Sequence, residues 1–150
     1  MISILHSAFD PWKAISQHQQ QMQREGQYGA CATFIGTMRD VNEGDTVNAM
    51  ELEHYPGMTE KHLQKIVAQA KEKWSLIDTL IIHRVGELLP NDPIVLVAVW
   101  SVHRKDAFEA CRFMMEDLKS KAPFWKKERL TSDDQQAEKN RWVDKNTSGY

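Results

Sequence analysis

Residues 119 to 128 read KSKAPFWKKE, four lysines set around a proline and two large aromatic rings. A solvated helix face has no need of the rings. A buried segment would have to desolvate unpaired ammonium groups, which is costly. The combination suits the lip of a pocket, with rings as wall and ammonium groups facing an anion. Lys119 follows Met115 by one helical turn, which puts it on the margin of an apolar stripe near a helix C-terminus. Lys121, Lys126, Lys127 and Arg129 crowd the same stretch, and like charges lower an ammonium pKa, more so with partial desolvation. An amine so placed can act as general acid, general base or nucleophile. Helix-end lysines also complement the helix dipole and snorkel to water, and the residues alone leave both readings open.

Other cations fall where anions bind. Arg39 closes a strand, and His103 with Arg104 stands where a central strand hands over to a helix, a place where unpaired backbone N–H groups point outward. A phosphate fits there, and so does a plain pair of exposed residues at a helix start. Phe34 lies on a strand and suits either a pocket wall or the core. His54 and His83 read as parts of satisfied strand faces, and Arg84 with Glu87 as a structural pair. Cys31 and Cys111 are far apart, lack metal-ligand spacing and are expected to be buried. The histidines show no pair at helical metal spacing, and no serine-nucleophile motif or glycine-rich phosphate loop is present, so no metal or cofactor is expected.

The elements that must position these groups follow from pattern. The 150 residues, 41% hydrophobic and 27% charged, suit one domain over 1–150. A net charge of −2 argues against a general nucleic-acid binder, and no apolar run is long enough to span a membrane. With no signal-like N-terminus, a cytoplasmic protein is expected. A strand over 2–7 precedes a helix capped by Asp10 and Pro11 that runs to about Glu25 and buries Trp12, Ile15 and Met22. ACATFIGTMR is a second strand, VNEGDT a polar loop that is a candidate for mobility, and NAMELEHY a strand with Met50, Leu52 and His54 on one face. A turn at Pro56 and Gly57 leads into a helix through Leu63, Ile66 and Ala70. TLIIHRVGEL and the central strand PIVLVAVWSV follow. The helix from Arg104 to Lys121 should bury Ala107, Phe108, Cys111, Met114, Met115 and Leu118, and Pro123 should stop it before the extended FWKKERL. Trp142 and Val143 are expected to pin the tail. The fold class is α+β, a sandwich with helices on one side of a mainly antiparallel sheet.

LEHYPGMTEKHL, IIHRVGELLPND, VHRKDAFEA and KSKAPFWKKE, with RWV near the end, together resemble the large, catalytic subunit family of molybdopterin synthase. The resemblance runs from Gly29 to Val143 and implies an α/β hammerhead fold. It also implies a dimer, each half binding a small ubiquitin-like sulfur-carrier subunit to give a heterotetramer. The carrier's Gly-Gly C-terminus, as a thiocarboxylate, would deliver two sulfurs in turn to cyclic pyranopterin monophosphate, yielding the dithiolene of molybdopterin. By matching position, Lys119 and Lys126 resemble the family's active-site lysines. Arg39, His103 and Arg104 resemble its substrate-anion ligands, shared across the dimer, and Phe34 and Met115 its pocket wall. Lys145 is a further tail cation on the same resemblance. Two rival readings are a noncatalytic scaffold for the ubiquitin-like partner and an RNA-binding module stacking bases on Phe124 or Trp125.

Overall fold

The computed structural model describes residues 1–42, 45–130 and 139–143. Two sheets and three helices divide the work of building the core. The first sheet has the order β1 (Ile2–Leu5), β5 (Leu76–Arg84), β7 (Pro93–Ser101), β2 (Ala30–Thr37); β1 runs parallel to β5 and the other pairings are antiparallel. The second has the order β3 (Val41–Asn42), β4 (Asp45–His54), β8 (Phe124–Leu130), β9 (Lys139–Trp142), with β6 (Gly86–Leu88) also paired to β4. The α+β class is as expected, with β4 and β8 in a sheet of their own.

β7 is central, as its apolar sequence predicts: Val95 to Ser101 are all buried, with β5 and β2 on its flanks. Its two faces feed two cores. On one, Val95, Val97 and Val99 meet Leu63, Ile66 and Ala70 of α2 (Met58–Lys73) and Ala107, Cys111 and Met114 of α3 (Arg104–Lys121). On the other, Leu96, Ala98 and Trp100 meet Ala14, Ile15 and Met22 of α1 (Pro11–Met22). The two long helices therefore share a face as expected, while α1 takes the opposite one, because β7 is apolar on both. Asp10 caps α1 by accepting from the Trp12 and Lys13 amides. The helix buries Pro11 and His18 and leaves Trp12 exposed, contrary to expectation.

The single strand expected over TLIIHRVGEL is broken at Val85. Gly86, at φ +87°, lets the chain leave β5 and join β4 in the other sheet. The polar loop after β2 is a hairpin, in which Val41 pairs with Thr46 and Asn42 with Asp45; its tip, residues 43 and 44, lies outside the described residues. A third core of Met38, Val47, Met50, Leu52, Val85 and Leu88 fills the inner side of the second sheet, with Phe124 and Leu130 packed on it. No described helix is long and apolar enough to cross a membrane.

Candidate functional site

The C-terminal end of α3 and the strand that follows it build the site. α3 ends at Lys121, and Ala122 turns extended ahead of Pro123. The turn is held from α2: the buried hydroxyl of Thr59 donates to the Pro123 carbonyl at 3.2 Å and accepts from the Tyr55 amide at 3.1 Å. β8 then pairs with β4, placing Lys126 opposite Leu52. The ring of Phe124 stacks face to face on buried His83 of β5, with centroids 3.8 Å apart. That stack joins the two sheets beside Lys126.

Lys119 and Lys126 are both half-buried, and they share one electrostatic neighbourhood with Arg39. Burial first, then the charges of Lys119 and Arg39, lower the Lys126 pKa below the ordinary ammonium value, against the opposing pull of Glu128. The arrangement expected of KSKAPFWKKE is thus present: the turn at Pro123 brings Lys126 back toward Lys119. The other two lysines are engaged elsewhere. Lys121 donates to Asp117 at 2.6 Å, and Lys127 lies 5.7 Å from the ring centre of Trp142.

His83 is held neutral. Its Nδ1 lies 2.9 Å from the Arg84 carbonyl, to which it donates as the Nδ1–H tautomer. Burial, reinforced by the charges of Lys126 and His54, pushes its pKa down to about 4. Sequence reading assigned His83 to a satisfied strand face and missed both its stack on Phe124 and its place beside Lys126. Thr59 was missed as well. Neither carries a sequence signal, since both depend on contacts more than 40 residues away in the chain. Arg84 and Glu87 pair as expected, through the Glu87 backbone carbonyl at 3.0 Å, while the ion pair of Arg84 is with Asp92 at 2.9 Å.

A cavity of about 250 Å³ lies between edge strand β2 and α3, lined by Phe34, Phe108, Cys111, Arg112, Met115 and Glu116 among others. Phe34 lines the cavity from β2 and Met115 from α3. Phe108 does not join the buried stripe of α3: it is 67% exposed and stands at the cavity mouth beside Phe34, which is 42% exposed. Cys111 is buried, its thiol pKa raised to about 11 by burial, while Cys31 is exposed on β2, against the expectation that both were interior. Met115, on the cavity wall, lies one helical turn before Lys119 on α3.

His103 and Arg104 are exposed at the other end of α3. Fifteen residues of helix separate Arg104 from Lys119, about 22 Å at 1.5 Å per residue. Within one chain they do not meet the lysines. Lys145 lies outside the described residues. Among the described residues, no group of three or more His, Cys, Asp or Glu side chains is placed to hold a metal ion. Trp142 is half exposed, and the tail is pinned by its backbone, with the Val143 amide donating to the Lys126 carbonyl at 2.9 Å.

The family described as "MoaE protein" matches residues 8–121, well over half of the chain. The chain belongs to the MoaE family. Its match ends at the last residue of α3, so the family pattern includes Lys119 and stops just short of β8. A molybdopterin synthase catalytic subunit from Ralstonia nicotianae is 62% identical over 118 residues, 79% of this chain and 64% of that relative. The chain thus spans just under two thirds of that relative's length. One from Vibrio cholerae is 47% identical over 137 residues, 91% of this chain and 87% of the relative. Among solved structures, a molybdopterin biosynthesis MoaE protein from Burkholderia ambifaria superposes with a TM-score of 0.75 at 48% identity, covering 95% of this chain and 88% of that one. This MoaE-family chain therefore shares the fold of its solved relative across almost its entire length.

Proposed function

We propose that this chain is the catalytic subunit of a molybdopterin synthase, a single cytoplasmic domain over residues 1–150. It moves sulfur from the thiocarboxylated Gly-Gly terminus of a small ubiquitin-like carrier to cyclic pyranopterin monophosphate, forming the dithiolene of molybdopterin. The observation that carries this reading is the convergence of Lys119, Lys126 and Arg39 at one end of α3, with Lys126 made easier to deprotonate by burial and by the neighbouring cations. Membership of the MoaE family supports the reaction assigned to that convergence.

A thiocarboxylate and a phosphate are both anionic. Fixed cations concentrate them and stabilise charge that develops as the cyclic phosphate opens, most effectively where water is thinned out. Lys119 and Lys126 act on the reacting groups as proton donor, proton acceptor or electrostatic clamp, and Arg39 grips the phosphate. The cavity along Phe34 and Met115 accepts the carrier's tail, whose glycines make it slender enough to enter. His103 and Arg104, about 22 Å away along α3, reach a site only in a second copy of the chain. The reading therefore includes a homodimer with two carriers, each site built by both copies.

Reconstitution tests the whole reading: purified chain, thiocarboxylated carrier and cyclic pterin precursor should yield molybdopterin. A wild-type complex that binds the carrier and makes no product would leave the noncatalytic scaffold as the better account.

A further inference from the structure

β8 presents alternate residues to two sides. Trp125 and Arg129 are exposed, while Phe124 and Leu130 pack on the core of the second sheet, and Lys126 and Glu128 share that inner side. Residues two apart on one strand face lie about 7 Å apart at Cα, close enough for the carboxylate of Glu128 to favour the charged form of Lys126. Glu128 is only 5% exposed, and a carboxylate so buried needs a cation. The adjacent strand supplies one: Arg141 is the register partner of Glu128, and its Nη2 donates to Oε2 at 2.8 Å.

We propose that Arg141 is a positioning residue for the reaction: by holding the Glu128 carboxylate against β9, it weakens that carboxylate's pull on Lys126 and makes the Lys126 ammonium more available to the substrate anion. This rests on the reading of Lys126 as a site residue.

Lys119 on α3 and Arg39 after β2 disfavour the charge of Lys126, as does burial; Glu128 on its own strand favours it. His83 on β5 is neutral and offers no compensating negative charge, and His54 on β4 acts on His83. Glu128 thus acts on Lys126, and Arg141 holds Glu128. An amine less tightly bound to its own carboxylate gives up its proton more readily and meets an incoming anion with less competition.

The test titrates the Lys126 amine in the full chain labelled with ¹⁵N-lysine, its Nζ signal assigned as the one lost in Lys126→Arg. Arg141→Met should raise the Lys126 pKa by about one pH unit, as expected of a carboxylate freed to pair with it. Glu128→Gln should lower it, and the double variant should return it close to the wild-type value, because the two side chains act as one unit. Arg141→Lys, which keeps the charge, should stay near wild type. Should Arg141→Met fold poorly, Glu128→Gln and the double variant leave no buried carboxylate behind and complete the test. An unmoved Lys126 titration in Glu128→Gln, or shifts of the same sign in both single variants, would overturn the proposal. The pH–rate profile of the reconstituted reaction separates the two readings: an amine titration that moves as described beneath an unmoved profile upholds the role of Arg141 toward Lys126 and removes Lys126 from the chemistry.

Discussion

The two ends of α3 carry the same kind of residue in opposite settings. At the C-terminal end, Lys119 is half-buried and lies near Lys126, which Arg39 also approaches. At the N-terminal end, His103 and Arg104 stand in solvent. Cations are costly to crowd and desolvate, and a fold that does so at one place holds them there by packing. Exposed cations at a helix start need no such support. The difference teaches that packing holds cations together at the first end, whereas the second leaves its cations in solvent.

The largest effect should come from the built end. Lys119→Ala should reduce product formation about 10²–10⁴-fold in the reconstituted assay while carrier binding, measured by calorimetry, stays intact. Undiminished turnover would remove the catalytic claim. Next, Arg104→Ala alone should slow the reaction, and a subunit-exchanged mixture of Arg104→Ala and Lys119→Ala chains should regain about a quarter of wild-type activity. That follows because half of the dimers are mixed and each then has one intact site of two. No recovery on mixing would place both residues in the same chain's site and end the contrast between the two ends.

His83 sharpens the comparison through stability. Its folded pKa of about 4 lies below the ordinary 6.5, so the folded state resists protonating it. The contribution is therefore complete above the ordinary value and is lost as pH falls toward 4. From pH 7 down to 4, urea denaturation should show wild type losing up to about 3 kcal/mol more than His83→Gln. Parallel pH curves for the two proteins would contradict the buried neutral imidazole. The smallest effect should be at Phe108, on the outward side of α3. Phe108→Ala should change stability by less than about 1 kcal/mol, against about 2–5 for Met114→Ala one face away. A large loss at Phe108 would mean that its ring is covered in solution.

Much of the fold was legible because it depends on local pattern. The span Arg104–Lys121 for α3 and Phe124–Leu130 for β8 follow from the apolar period and from Pro123, and the central place of β7 follows from an unbroken apolar run. Asp10 with Pro11 marks the start of α1 for the same reason. Errors arose where a long-range partner decides. Phe108 has the right spacing for the core, yet β2 ends the sheet beside it and leaves it at a cavity mouth. Cys31 lies on that same edge strand and is exposed. Val85 lies within a strand-like segment, and Gly86 transfers the chain between sheets there.

The sequence by itself determined which residues could do chemistry and, through its resemblance to a family, which chemistry to propose: Lys119, Lys126, Arg39, His103 and Arg104 were all named from it. Only the tertiary structure decided which of them meet. Pairing of β8 with β4 brings Lys126 to Lys119 and Arg39, pairing with β9 brings Arg141 to Glu128, and the length of α3 keeps His103 and Arg104 apart from both. The physical reason is that a residue's type is local, whereas burial and the field of neighbouring charges are set by strands and helices distant in the chain.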